Sequence, residues 1–186
     1  MPILGILASS TRVAAGDFES IATTTVGAGG SSSITFSSIP STYTHLQIRV
    51  INRISQSVSE NGIIVRVNSD TGSNYAFHGF TGNGSSAGAF GYASQTKIEG
   101  PDAPGASATA SIFGAQIIDI LDYANTNKYK TVRILTGDDL NGSGGIRLIS
   151  GLWMNTNAIT SLEFTVNGGS NFVQYSHFAL YGIKSA

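Results

Sequence analysis

The stretch HLQIRVINRI, residues 45–54, alternates apolar and polar side chains. Successive side chains of an extended strand point to opposite faces, so Leu46, Ile48 and Val50 would share one face. Arg49 and its polar neighbours would then lie on the other face. This pattern is typical of a strand that packs one side on a core, and it predicts a sheet protein.

The same period of two recurs along most of the chain. Ser111–Leu121 is the most apolar segment, and a helix competes only over its last seven residues. Ile117, Ile118 and Ile120 favour a strand there, because β-branched side chains fit a pleated surface. The other predicted strands are Phe18–Val26, Ile34–Ile39, Gly62–Asn68, Tyr75–Phe80, Tyr129–Thr136, Ile146–Met154, Ile159–Val166 and Phe172–Ile183. Many short strands at this spacing predict an all-β fold, an antiparallel, jelly-roll-like β-sandwich of about ten strands.

The strand predicted over residues 129–136 carries two basic side chains. We place Lys130 and Arg133 on its polar face, opposite Val132 and Ile134. Both basic side chains are therefore expected on the side away from the core.

Turn residues support the predicted strands. Asn-Gly pairs supply the positive φ angles that tight hairpins need, and four of them begin at Asn61, Asn83, Asn141 and Asn167. The pair at Asn167 lies between two strand-like segments and predicts a hairpin. The four prolines, at positions 2, 40, 101 and 104, all fall outside the predicted strands, as expected for a residue that lacks an N–H group.

The length of 186 residues predicts one sandwich domain over residues 17–186, preceded by an extended N-terminal arm over residues 1–16. Apolar side chains lie near the start of this arm, namely Ile3, Leu4, Ile6 and Leu7. Such side chains gain little by facing water, so they predict an arm that packs on another subunit. An edge strand or a frayed tail is the alternative.

Residues 81–110 interrupt the strand pattern and contain few strong strand formers. We predict a long loop or insertion here, because loops of this length in a compact domain are usually functional or disordered. Phe90 and Tyr92 are then candidates for contact with a partner subunit or ligand. A flexible filler is the alternative.

Composition excludes several classes of function. Charged residues make up 11% of the chain, the net charge is -1 and the pI is about 6.3, so the basic surface of a nucleic-acid-binding protein is missing. No stretch approaches 18 uninterrupted apolar residues, and the opening apolar run is too short for a signal-peptide core, so we expect no membrane insertion. The lack of cysteine excludes disulfides and thiolate metal sites and leaves the redox compartment undetermined.

Catalytic and cofactor motifs lack their structural context in this sequence. His45, His78 and His177 each lie in a predicted strand without a carboxylate or second histidine nearby in sequence. The glycine-rich runs lead into predicted strands rather than helices, so no phosphate-binding loop is expected. Asp119 and Asp122 flank the end of a strand and could be paired acids for glycoside hydrolysis. A boundary between a strand and a turn explains them equally well. We therefore expect no catalytic residue and no cofactor.

One loop resembles the start of a calcium site. Asp139, Asn141 and Ser143 place oxygen-bearing side chains at alternate positions within Asp138–Ser143. The twelfth position counted from Asp139 holds Ser150, where a calcium loop has its closing carboxylate. A polar hairpin tip is therefore favoured, calcium binding is the alternative, and no metal site is assigned.

Six segments that cover most of the chain carry a family resemblance. They are PILGILASS (residues 2–10), FESIATTTVGAGGSSSITFSSIPSTYTHLQIR (18–49), VRVNSDTGSNYAFH (65–78), DILDYANTNKYKTVR (119–133), SGLWMNTNAITSLEF (150–164) and YSHFALYGIKSA (175–186). Taken together, these segments resemble a family of small structural proteins of tailed bacteriophages, notably marine and cyanobacterial phages. Residues 81–110 are the least similar part.

The resemblance implies a non-enzymatic virion structural protein on the exterior of the phage particle, either a capsid decoration (cement) protein or a tail-associated component. Its partners would be other virion proteins and further copies of itself, with a trimer favoured. A tail-fibre receptor-binding module that attaches to host-surface glycan is the alternative, and a glycan-cleaving enzyme is a third possibility. The family carries no established catalytic residues. The predicted subunit or partner contacts are Ile3, Leu4, Ile6, Leu7, Phe90 and Tyr92.

Overall fold

A computed structural model describes residues 16–184 of the chain. These residues form twelve β-strands and no helix. The strands are β1 (Phe18–Thr25), β2 (Ser33–Phe36), β3 (His45–Asn52), β4 (Glu60–Val67), β5 (Tyr75–Gly82), β6 (Ala87–Gln95), β7 (Ile98–Pro104), β8 (Gly114–Leu121), β9 (Lys130–Asp139), β10 (Gly144–Trp153), β11 (Leu162–Val166) and β12 (His177–Ile183). The prediction of an all-β fold is confirmed, with twelve strands in place of about ten.

The strands form two antiparallel sheets. The wide sheet has the order β1-β12-β3-β8-β9-β10-β5-β6, and the narrow sheet has the order β2-β11-β4-β7. Without β5, β6, β9 and β10, eight strands remain in two four-stranded sheets, and their order of 1-8-3-6 and 2-7-4-5 is that of a jelly roll. The fold is therefore a jelly-roll sandwich whose wide sheet is extended by two hairpins.

The core lies between the two sheets. Leu46, Ile48 and Val50 of β3 are buried, as their alternation with polar residues predicts. Val65 and Phe164 of the narrow sheet are completely buried and belong to the same hydrophobic cluster. Full burial of a side chain of this size contributes about 1.5–3 kcal/mol, so the two inner faces provide the main driving force for folding.

The predicted long loop over residues 81–110 is wrong, because this segment contains β6 and β7. β6 reads AGAFGYASQ, and among the described strands it pairs with β5 alone, at the edge of the wide sheet. Its small residues therefore need no apolar alternation. β7 is the edge of the narrow sheet and includes Pro101 and Pro104. An edge strand tolerates proline because one of its sides has no strand partner.

The predicted hairpin at Asn167 is also wrong. β11 and β12 belong to different sheets, so the turn at Asn167 carries the chain from one sheet to the other. Two other Asn-Gly pairs do close hairpins, at Asn83 between β5 and β6 and at Asn141 between β9 and β10. Asn141 and Gly142 both have positive φ, 68° and 98°, which is the requirement that favours this dipeptide.

Lys130 departs from its prediction as well. It is fully buried, on the same face of β9 as Val132 and Ile134, whereas Arg133 is exposed. The Lys130 ammonium donates to the carbonyl oxygens of Asn125 at 2.6 Å, Lys128 at 2.9 Å and Thr156 at 3.0 Å. Burial, together with the charge of Lys128, lowers the pKa of Lys130. The ammonium thus links the loop between β8 and β9 to the loop between β10 and β11.

Candidate interaction surfaces

The outer face of the wide sheet carries an apolar band across four neighbouring strands. Ile117 pairs with Leu135, Leu135 with Leu148, and Leu148 with Phe80, so one side chain each from β8, β9, β10 and β5 lie side by side. Their exposed fractions are 40%, 46%, 48% and 68%. With about 4.8 Å between strands, the band is about 14 Å wide.

A groove runs beside the apolar band, one row further along the strands. Ile51 pairs with Ala115, Ala115 with Gly137, and Gly137 with Ile146. Because alanine and glycine stand between two exposed isoleucines, the surface is concave there, with a volume of about 470 Å³. The groove thus crosses β3, β8, β9 and β10, and its lining extends to His177, Ala179 and Tyr181 of β12.

Polar side chains form the rim on the side of β3. The Gln47 amide donates to Asp119 Oδ1 at 2.9 Å, and Arg49 Nε donates to Gln47 Oε1 at 2.9 Å. The Arg49 guanidinium also lies over the rings of Phe18 and Tyr181, 5.2 Å and 5.6 Å from their centroids. These contacts fix the rim and keep the charge of Arg49 at one end of the apolar surface.

A second concave surface arises because the wide sheet extends past the narrow one. Phe77, Phe90 and Tyr92 lie on the inner side of β5 and β6, with ring centroids 5.2–6.4 Å apart. Together with Gly100 of β7 and Arg147 of β10 they line a cleft of about 410 Å³, which we call the aromatic cleft. Phe90 packs against the core, whereas Tyr92 is 55% exposed.

Next to this cleft, Asp102 and Glu60 lie beside the Arg147 guanidinium, and the Asp138 carboxyl group lies beside those two carboxyl groups. Arg147 forms an ion pair with the nearly buried Asp102, and its Nη2 lies 3.9 Å from Glu60 Oε1. Burial raises the pKa of Asp102 to about 7, with Glu60 and Asp138 adding to the rise and Arg147 opposing it. Burial and Asp138 also raise the pKa of Glu60. The cluster therefore holds a proton more readily than separate carboxyl groups would.

The hairpin tip that resembles a calcium loop is closed by its own backbone. Asp139 Oδ1 accepts hydrogen bonds from the amides of Asn141 at 2.8 Å and Gly142 at 3.2 Å. Within residues 16–184, no group of three or more histidine, aspartate or glutamate side chains is arranged to hold a metal ion. The Asp139 carboxylate thus has a structural role in the turn.

The structure describes two of the six predicted contact residues. Phe90 and Tyr92 come together in the aromatic cleft, on strand β6 rather than on a loop. Ile3, Leu4, Ile6 and Leu7 lie outside the described residues. The sequence prediction missed the apolar band and the groove, although neighbouring apolar residues such as Ile117 and Ile118 were a signal for them. Two successive apolar residues in a strand place one on each face.

No protein-family model, characterised protein or solved structure matches this chain. In the part of the chain that the structure describes, no helix is long and apolar enough to cross a membrane.

Proposed function

We propose that this protein is a non-enzymatic structural protein on the exterior of a tailed-bacteriophage particle, as a capsid decoration protein or a tail-associated component. Six sequence segments that resemble such proteins support this proposal, as does the jelly roll, a fold found in viral capsid proteins. The observation that carries it is the apolar band with its groove, because monomeric proteins rarely expose a contiguous apolar surface of this extent.

The energy of this surface favours repeated contacts over one isolated pair. The band and the groove together expose six large aliphatic or aromatic side chains by about half. Complete burial of such a side chain gives about 1.5–3 kcal/mol, so burial of the exposed halves gives about 6 kcal/mol. Association costs at least about 4 kcal/mol in lost freedom of motion. One contact is therefore weak, and a symmetric assembly that repeats it is stable.

Sedimentation of the purified protein, with labelling of intact phage particles by an antibody, tests the proposal. We expect a homo-oligomer, with a trimer favoured over other closed forms, and antibody on the outside of the particle. Leu135→Asn together with Leu148→Asn shifts the oligomer towards monomer. Tyr129→Asn, at a residue that is 52% exposed on the loop before β9, leaves it unchanged. The proposal is refuted if the purified protein is a monomer at all concentrations and the antibody labels no part of the particle.

The number of antibody labels on each particle also separates the two locations. Capsid decoration requires hundreds of copies spread over the shell, whereas a tail component requires few copies at one end.

The aromatic cleft favours a second candidate function, binding of host-surface glycan. The half-exposed Tyr92 ring, beside Phe90, offers a flat surface for the apolar face of a sugar, and Arg147 and Glu99 provide polar groups at the cleft. Polysaccharide from host cells should then bind the protein. Tyr92→Ala should weaken this binding at least tenfold, whereas the equally exposed Tyr129→Ala should not. Equal binding by both variants excludes the cleft as the glycan site.

A further inference from the structure

We propose that the groove on the outer face receives residues 3–7 (ILGIL) from a second copy of the chain, bound as an extended segment across β3, β8, β9 and β10. This inference rests on the proposed function, since it names the partner that covers part of the apolar surface.

The segment matches the groove in length and in chemistry. Five extended residues span about 13–17 Å. The part of the groove from Ile51 on β3 to Ile146 on β10 crosses three inter-strand spacings, about 14 Å. Residues 3–7 are four aliphatic side chains around Gly5, with no charge. Between Ile51 and Ile146, the exposed residues at the floor of the groove are alanine and glycine. Beyond Ile51, Arg49, His177 and Tyr181 make the β12 side of the groove more polar.

The register of the wide sheet favours a segment from another copy over the chain's own. β1 begins at Phe18, opposite Ile183, and ends at Thr25, opposite His177. The groove lies at the His177 end, because His177 pairs with Ile51. The chain that precedes Phe18 therefore leaves the sheet at the end opposite to the groove.

A return to the groove of the same copy is costly. The path covers about 20 Å along the strands and about 17 Å across them, or about 26 Å in a straight line. Residues 8–17 span at most about 35 Å when fully extended. They would have to reverse direction beside Phe18 and then run nearly straight over the sheet, with a large loss of conformational entropy. A neighbouring copy needs no such reversal.

The shape of the surface favours an inserted segment over a second sheet laid face to face. Two flat faces in contact would leave a void above Ala115 and Gly137, and a void loses dispersion contacts on both sides. Side chains from one extended segment fill this space. They contact Ile117 and Leu135, which line the groove, and leave Leu148 and Phe80 for a further contact.

A disulfide scan tests which copy supplies the segment. The chain has no cysteine, so Leu7→Cys combined with Ala115→Cys introduces the only two thiols. We expect oxidation to link different copies into dimers and larger species on a non-reducing gel. Leu7→Cys combined with Tyr129→Cys is the control, since Tyr129 lies near the other end of β9 from Gly137. A cross-link confined within single chains overturns the assignment to a second copy, and cross-linking no greater than in the control overturns the segment as occupant.

A groove-filling variant tests the site itself. A Cβ atom on Gly137 would meet only ordinary contacts, with Gly145 O at 3.4 Å and Ile146 Cγ1 at 3.8 Å, so Gly137→Leu can fold. It enlarges the apolar surface but fills the groove. The assay measures the affinity of a labelled peptide, residues 1–10, for protein that lacks residues 1–10. We expect Gly137→Leu in that protein to weaken this affinity at least tenfold. Unchanged peptide affinity overturns the proposal.

The failure of this inference differs from that of the proposed function. If protein that lacks residues 1–10 assembles and labels the phage exterior like the full chain, the arm is refuted and the structural role stands. If the full chain is absent from the particle while the peptide still binds the groove, the virion role is refuted and the groove assignment stands.

Discussion

The carboxyl group of Asp102 makes the free energy of unfolding depend on pH. Its pKa is about 7 in the folded protein, whereas an ordinary aspartate has a pKa of 3.8. Between these values the folded state holds a proton that the unfolded state has released. The stabilising effect of this proton is therefore fully present below about pH 4 and is lost as the pH rises through about 7.

The magnitude follows from the size of the pKa difference. Each pKa unit corresponds to about 1.4 kcal/mol, so the two units between pH 5 and pH 7 correspond to about 3 kcal/mol. A protein of this kind has a total stability of about 5–15 kcal/mol, so the loss is a measurable fraction. Glu60, whose pKa is also raised, changes stability in the same direction.

Urea unfolding at a series of pH values from 5 to 8 measures this effect. Trp153 is the only tryptophan, it is buried, and its indole N–H donates to Asp70 at 2.7 Å, so its fluorescence reports the loss of the core. We expect stability to fall by about 3 kcal/mol over this range. Asp102→Asn removes the titrating group and keeps a carbonyl oxygen towards Arg147, so its stability should fall much less.

Asp17→Asn is the matched control, because Asp17 is an exposed carboxylate outside the cluster. It should retain the full pH dependence. If the wild type and Asp102→Asn lose stability in parallel between pH 5 and pH 8, burial of Asp102 does not govern its protonation and the reasoning is refuted.

Three further predictions concern other parts of the fold. Lys130→Met leaves three carbonyl oxygens without their charged donor, so urea unfolding should show a loss of about 3 kcal/mol, and an unchanged midpoint would contradict the role of the ammonium. Gly182→Ala places a Cβ atom in the ring of Tyr43, so stability should fall by about 1–3 kcal/mol. In a protein that already carries Tyr43→Ala, the same Gly182→Ala change should cost clearly less. Calcium or a chelator should leave the melting temperature unchanged, whereas Asp139→Ala should lower stability by about 1 kcal/mol. A melting temperature that rises with calcium would support calcium binding at this loop.

Strands with one buried face could be predicted from the sequence. In β3, each apolar residue lies beside a polar one, and the structure buries Leu46, Ile48 and Val50 as this pattern requires. The most apolar segment, Ser111–Leu121, contains β8, which lies inside the wide sheet. In β3 the local pattern and the final environment agree, so no knowledge of the partner strands is needed. In β8 the strand and its position inside the sheet agree with the pattern, but Ile117 and Leu121 lie on the exposed face.

Strands whose character depends on their neighbours could not be predicted. β6 is built from alanine, glycine and serine around Phe90 and Tyr92, and only its pairing with β5 makes it a strand. The alternation of β9 already places Lys130 on the face of Val132. The carbonyl groups of Asn125, Lys128 and Thr156, which satisfy its ammonium there, come from two loops and could not be predicted. Partners of this kind are set by topology rather than by local sequence.

The candidate site follows the same rule. Phe90 and Tyr92 are predicted contact residues because they are aromatic. Their neighbour Phe77 could not be predicted from the sequence, because only the pairing of β5 with β6 brings the three rings together. The apolar band requires the register of four strands, since Leu135 and Phe80 are far apart in sequence.

The outermost strand of the wide sheet has one further consequence. β6 contains no charged residue, and no strand within residues 16–184 pairs with its outer side. Many proteins protect such an edge with lysine or proline, which hinder the addition of another chain. Concentrated solutions of this protein are therefore prone to growth of the sheet from molecule to molecule, so purification and storage call for dilute conditions or an edge lysine.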